Sequence, residues 1–241
     1  MTIRIGIIGY GGFGRFLDQS WSAGGDMEVV RIAERDPGRH VAGDNRFTTD
    51  WRTLVTDPGI DIISIVTPPS SHAALAVEAM EAGKHVLIEK PVALTEADFK
   101  SILDTRNRTG KLAAVNHMLR FNPLVQHLSA LALKGSLGEL RFASVENFAQ
   151  DEDLPPDHWF WDSDQSGGIL VEHAVHFIDL VESMTSGKPV SIKGHRRLRN
   201  ERQEDQVLAT IAYDNHLIVT HYHEFSTLKP FELTTCLLYT S

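Results

Sequence analysis

Ile3-Arg4-Ile5-Gly6-Ile7-Ile8-Gly9-Tyr10-Gly11-Gly12-Phe13-Gly14, near the start of the chain, joins a short apolar run to a glycine cluster. Ile3 to Ile8 reads as a strand, and an amphipathic stretch from Phe13 to Ala23, which Gly24 and Gly25 can close, reads as a helix. Strand, glycine turn and helix in that order predict a phosphate-binding turn. Gly9 permits the tight turn, Gly11 lets a pyrophosphate approach the backbone, and Gly14 lets the helix pack close to the strand. Gly12 and Phe13 complete the candidate dinucleotide contacts. A glycine turn that merely packs is the competing reading, and the flanking strand and helix weigh against it.

Outward from this turn the same alternation continues. Met27 to Ala33 reads as a second strand, Asp50 to Val55 as a short helix, and Asp61 to Val66 as a β-branched strand buried on both faces. Ala73 to Ala82 reads as a helix, His85 to Ile88 as a strand, Glu96 to Arg108 as a helix and Leu112 to Val115 as a strand. Strands alternating with helices predict a doubly wound parallel sheet over 1–119. Beyond Arg120 come a helix from Pro123 to Lys134, a strand near Leu140 to Phe148, and an irregular aromatic segment. A helix from Ile169 to Met184 is followed by strand-like runs at Val190 to Leu198, Val207 to Tyr213 and Leu217 to Phe225. Strands without intervening helices predict an α+β domain on a largely antiparallel open sheet over 120–235. The ending 236–241, Cys-Leu-Leu-Tyr-Thr-Ser, is what TGT CTC TTA TAC ACA TCT encodes, a transposon end used in sequencing libraries. It is expected to be a non-native tail on a truncated frame, against the alternative of a native strand.

Several polar residues fall where such a sheet binds ligands. Glu34 ends the second strand, 20 residues beyond Gly14, where a carboxylate can accept from ribose hydroxyls and favour NAD. Arg35 could instead hold a 2'-phosphate, so NADP stays open. Thr67-Pro68-Pro69-Ser70-Ser71-His72 lies at the ligand edge, making Thr67, Pro68 and His72 candidate cofactor contacts. Capping of the next helix by Ser70 or Ser71 is the plainer use of those hydroxyls. Glu89-Lys90-Pro91 follows the strand His85 to Ile88. Glu89 is a candidate cofactor contact, and Lys90, beside a positively charged nicotinamide, would give up its proton more readily and could serve the reacting oxygen. Glu172, His176, Asp179 and Ser183 share one helix face by spacing, either a solvated stripe or an imidazole set between two carboxylates that can shuttle a proton. Trp159, Phe160 and Trp161 either wall a substrate pocket or pack. His221 and His223 share a strand face, and no metal site is expected, since converging ligand spacing is missing.

The chain's 241 residues carry 23 basic and 32 acidic side chains, a net charge of -9, and 42% are hydrophobic. The length allows two modest domains. The negative field repels phosphate backbones and anionic membranes, so nucleic acid and membrane are not expected as partners. Without a signal-peptide pattern or a spanning run, and with a single cysteine, a soluble cytoplasmic protein is expected.

Together these pieces resemble the Gfo/Idh/MocA family of sugar and polyol oxidoreductases. The matching motifs are the glycine turn, Glu34-Arg35-Asp36-Pro37, Thr67-Pro68-Pro69 with His72, Glu89-Lys90-Pro91, Arg120-Phe121-Asn122-Pro123, and Gly167-Gly168 followed by Glu172, His176 and Asp179. The resemblance implies a Rossmann domain followed by an α/β substrate and oligomerisation domain, and hence a homo-oligomer when full length. It implies hydride transfer between NAD(P) and a secondary alcohol, with Lys90 and His176 as the catalytic pair. Glu172 would match the family's substrate-positioning acid, and Arg120 a residue near the substrate. In the leading reading of the residues themselves, Glu172 and Asp179 orient substrate and imidazole, and Trp161 is a candidate substrate contact. Glutamate at 172 departs from the family's usual aspartate, moving the carboxylate out by one methylene. Family members usually run roughly a hundred residues longer, so exposed sheet edges and aggregation are expected of this chain. Two other readings stay open: a glycosidase acting by transient oxidation and elimination, and a non-catalytic dinucleotide sensor.

Overall fold

The computed structural model describes residues 2–150, 154–226 and 233–240. It divides into two compact units, Met1–Asn116 and His117–Ser241. The division falls ahead of the expected 119, because Arg120 in the turn Met118–Phe121 is already bonded to Asp179 of the second unit.

The first unit runs β1 (Ile3–Ile8), α1 (Gly12–Gly24), β2 (Met27–Ala33), β3 (Phe47–Thr48), α2 (Arg52–Val55), β4 (Ile62–Ile65), α3 (His72–Glu81), β5 (His85–Ile88), α4 (Glu96–Thr109) and β6 (Ala113–Val115). Its strands form one sheet in the order β3-β2-β1-β4-β5-β6, with every pairing parallel. Strand order reverses between β1 and β4, and at such a switch point the loops leaving the carboxyl ends part to form a ligand crevice. Ile7, Ile32, Ile63, Ile65 and Ile88 are all 0% exposed. These side chains lie inside the α/β layers, hence the β-branched and aliphatic character of the central strands. The short β3 was not anticipated: it has only two residues and pairs with β2 alone.

The second unit runs α5 (Pro123–Leu133), β7 (Leu140–Gln150), α6 (Ser163–Ser166), α7 (Ile169–Glu172), α8 (Val175–Glu182), β8 (Pro189–Leu198), β9 (Glu204–Tyr213), β10 (Ile218–Ser226) and β11 (Leu233–Thr240). The sheet order is β11-β7-β10-β9-β8. Its pairings are antiparallel except β7 with β10, which is parallel. Two successive reversals, β8 to β9 and β9 to β10, return β10 in the direction of β8, and the helical crossover after β7 gives β8 that same direction. Val145, Val181, Leu217 and Val219, each 0% exposed, form the core between sheet and α8. The suspected tail runs as part of β11, and a sheet edge accepts any extended segment whatever its origin. Ser241 lies outside the described residues. Among the described residues, no helix is long and apolar enough to cross a membrane.

The helix expected from Ile169 to Met184 is interrupted. The Ala174 amide reaches back five residues to the Ile169 carbonyl at 2.9 Å, and His176 N reaches only His173 O, at 3.4 Å. The interruption turns His173 toward the sheet, its Nε2 lying 2.7 Å from Asn147 Oδ1 and its ring 4.9 Å from that of Phe225. Glu172 and His176 therefore lie on separate short helices rather than one turn apart on a single face.

Candidate functional site

The glycine turn separates its three tasks by geometry. Gly9 has φ +99°, and a Cβ there would stand 2.5 Å from the Val66 carbonyl oxygen. A Cβ on Gly14 would stand 2.3 Å from Gly9 O, whereas Gly11 and Gly12 have nothing within 4 Å of theirs. Gly9 and Gly14 are thus required by packing. Gly11 and Gly12 leave open the side from which a pyrophosphate would approach the N-terminus of α1. The residues present fit a dinucleotide.

Glu34 is drawn against this turn, 6% exposed. The Tyr10 amide donates to its Oε2 at 2.8 Å and the Asp36 amide to its Oε1 at 3.0 Å. Each oxygen keeps a further lone pair for a ribose hydroxyl. Arg35 is exposed. Beneath the turn lies a polar network that sequence reasoning missed. The Tyr10 hydroxyl donates to Asp18 Oδ2 at 2.8 Å, and Arg46 bridges Asp18 at 2.8 Å and Asp44 at 2.7 Å. Burial, then Asp18, raises the Tyr10 pKa, while Asp44 and Asp18 raise that of Arg46. Asp18, a carboxylate on the buried side of an amphipathic helix, was the available signal.

The loops after β4 and β5 reach the same edge of the sheet. The Thr67 and Ser71 hydroxyls lie 2.6 Å apart, and Ser71 Oγ donates back to Pro68 O at 2.8 Å. The expected capping does not occur. A tight turn over Pro69–Ser71 runs straight into α3, leaving Ser71 in helical conformation, where its hydroxyl makes no capping bond. His72 is fully buried, each ring nitrogen 2.8 Å from a backbone carbonyl, Pro91 O and Thr67 O. It joins the two loops from below and offers no exposed surface to a cofactor. Glu89 Oε1 accepts from Asn116 Nδ2 at 2.6 Å. Lys90, half-buried, precedes the buried Pro91, whose carbonyl His72 holds.

In the second unit, Glu172 is 8% exposed at the end of α7, and His176 is half-buried on the first turn of α8. Asp179 was expected to orient the imidazole. It is instead engaged by Arg120, which donates from Nε and Nη2 at 2.7 Å each, with His117 Nδ1 at 3.7 Å. His117 is a further residue of this cluster that the sequence did not single out. Trp161 is 6% exposed, edge-on to Phe160 at 4.9 Å, with the Arg199 guanidinium 5.6 Å from its ring. It lines a cavity of about 130 Å³ with Phe160, Ile169, Arg196 and Glu204, so it both packs and walls a space. His221 and His223 do share a strand face, the one covered by helices. Both are 0% exposed, and their rings stack at 5.9 Å.

Residues 3–117 match the model of the oxidoreductase family with NAD-binding Rossmann fold, and residues 125–237 match the GFO/IDH/MocA C-terminal domain. The chain is 28% identical over 179 residues to scyllo-inositol 2-dehydrogenase (NAD(+)) of Bacillus subtilis, covering 72% of this chain and 51% of that protein. It is 31% identical over 199 residues to levoglucosan dehydrogenase of Pseudarthrobacter phenanthrenivorans, covering 74% and 50%. The chain thus spans about half the length of these curated relatives. Among solved structures, myo-inositol 2-dehydrogenase from Lactobacillus plantarum superposes with a TM-score of 0.90 at 19% identity, covering 100% of this chain and 75% of that one. Levoglucosan dehydrogenase in complex with NADH gives 0.87 at 22%, covering 100% and 72%. With both units matched in order, the chain belongs to the Gfo/Idh/MocA family of oxidoreductases.

Proposed function

We propose that this chain carries the cofactor site and part of the substrate site of an NAD-dependent dehydrogenase acting on a secondary alcohol of a sugar or polyol. The observation that carries the reading is the division among the glycines: Gly9 and Gly14 closed by backbone, Gly11 and Gly12 open where a pyrophosphate must approach. Names of relatives, inositol and levoglucosan dehydrogenases, agree with it. Bound NAD supplies the hydride acceptor at the nicotinamide. Gly9, Gly11, Gly12, Phe13 and Gly14 cradle the pyrophosphate, and Glu34 accepts from ribose hydroxyls, a carboxylate that disfavours a 2'-phosphate. Thr67, Pro68 and Glu89 border the same crevice.

Lys90 and His176 take the hydroxyl proton as the alcohol is oxidised, and Glu172 holds a neighbouring hydroxyl. Arg120 and Asp179 serve by holding each other. On the same reading the uncovered face of the second sheet, with Leu208 and Ile218 more than 40% exposed, serves self-association. The test is a panel of sugars and polyols assayed by nicotinamide absorbance. Turnover with NAD on at least one, reduced at least 100-fold in Lys90→Ala with cofactor affinity retained, is expected. Unchanged turnover in Lys90→Ala would remove the lysine from the chemistry.

A further inference from the structure

The peptide of Glu34 leaves β2 with both of its polar groups engaged. Its amide donates to Thr48 O of β3 at 2.9 Å, while the neighbouring Ala33 carbonyl is taken by the Gly9 amide, also at 2.9 Å. The Glu34 carbonyl finds its partner in His40, whose Nε2 lies 2.8 Å away. A carbonyl oxygen only accepts, so Nε2 carries the proton. His40, half-buried, closes the tight turn Pro37–Arg39, and its own amide donates to Pro37 O at 3.1 Å.

The ring of His40 is held as well. It stacks on Phe47 of β3, with centroids 5.0 Å apart and planes at 28°, and Phe47 stands edge-on to Tyr10 at 4.9 Å. Tyr10 lies between Gly9 and Gly11, and its amide donates to the Glu34 carboxylate. The contacts form a closed circuit: Tyr10 amide to Glu34 carboxylate, Glu34 carbonyl to His40, His40 ring to Phe47, and Phe47 back to Tyr10.

We propose that His40 is a positioning residue for Glu34. Its Nε2–H fixes the backbone at the end of β2, so that the carboxylate stays on the Tyr10 and Asp36 amides and does not swing aside for a 2'-phosphate. Rejecting a competing ligand requires an obstacle that does not yield. A carboxylate on a slack strand end yields; one held in a closed circuit does not. The consequence for NAD over NADP rests on the proposed function; the hold on Glu34 does not.

Two variants separate the donor from the ring: His40→Phe keeps an aromatic ring for Phe47 and loses the N–H, whereas His40→Gln keeps an N–H donor and loses the ring. Amide hydrogen exchange, followed by NMR without cofactor, reads the hold directly. The Tyr10 and Asp36 amides should exchange about three- to tenfold faster in His40→Phe, the worth of one hydrogen bond, and near the wild-type rate in His40→Gln. Unchanged exchange along α3 reports an intact fold. In fluorescence titrations the preference for NADH over NADPH should shrink by about three- to tenfold in His40→Phe and persist in His40→Gln. Once Glu34→Gln is present, His40→Phe should leave the remaining preference unchanged, whereas a merely structural role would weaken both cofactors alike in either background. Wild-type exchange in His40→Phe, or equal losses in His40→Phe and His40→Gln, would overturn the inference. Faster exchange with an unchanged preference would overturn its consequence for NADP. Absence of NADH binding by the wild type would count against the cofactor site and leave the exchange result standing.

Discussion

Replacing Gly9 and Gly11 with alanine should separate folding from cofactor binding, because their missing Cβ atoms face opposite surroundings. At Gly9 the new methyl would stand 2.5 Å from Val66 O and 2.8 Å from Val66 C, on a backbone with φ +99°. A left-handed conformation costs an L-residue about 1–2 kcal/mol. Contact with backbone cannot be relieved by a rotamer change, and forced overpacking adds about 1–3 kcal/mol. A total near 2–5 kcal/mol corresponds to roughly 5–15 °C in the melting temperature of the unit. Gly11 has φ -72° and ψ -165°, extended backbone open to any residue, with nothing within 4 Å of its added Cβ. Gly11→Ala should therefore melt within about 1 °C of the wild type, or slightly above it, since alanine restricts the unfolded chain. The same methyl would stand where a pyrophosphate must approach, so NADH affinity should fall at least tenfold. Differential scanning calorimetry and NADH fluorescence titration read the two effects. If Gly11→Ala lost stability like Gly9→Ala, or kept full NADH affinity, the assigned division of tasks would be wrong.

Arg120→Ala and Asp179→Ala should each destabilise the second unit, and in a double-mutant cycle the losses should fall short of additive by about 1 kcal/mol, as for a bidentate pair with one largely buried partner. Additive losses in urea unfolding would show that the two do not act as a clamp. His221 and His223 have folded pKa values pushed down by burial to about 4 and about 3, from an ordinary 6.5. Both take up a proton on unfolding, so stability should be full above pH 6.5 and fall as pH drops from 6.5 toward 4. The slope should approach 1.4 kcal/mol per pH unit for each histidine. Urea midpoints between pH 7.5 and 5 check this, and His221→Leu should flatten the dependence; an unchanged slope in that variant would exclude His221 as its source.

Much of the first unit is legible because its constraints are local. Gly9, Gly11 and Gly14 sit in a twelve-residue stretch whose apolar run, turn and helix each announce themselves, and Glu34 follows from the end of β2. What sequence could not supply depends on contacts far along the chain. The interruption at His173 and Ala174 leaves the spacing of Glu172, His176 and Asp179 intact as a pattern, yet it arises with a bond to Asn147, 26 residues away. Asp179 reads as a partner for His176 until Arg120, 59 residues earlier, is brought against it. The parallel pairing of β7 with β10 follows from the route of the intervening strands, which no local propensity encodes. His72 was visible as a residue of the ligand edge. That its ring points inward to two carbonyls became evident only from the tight turn through Pro69–Ser71.

The most direct measurement of the central claim is titration of the chain with NADH and NADPH, followed by nicotinamide fluorescence. Saturable binding of one NADH per chain, with NADPH weaker by at least tenfold and the preference reduced in Glu34→Gln, is the predicted result. Absence of saturable NADH binding would contradict the cofactor site, and equal affinity for NADPH would contradict the role assigned to Glu34.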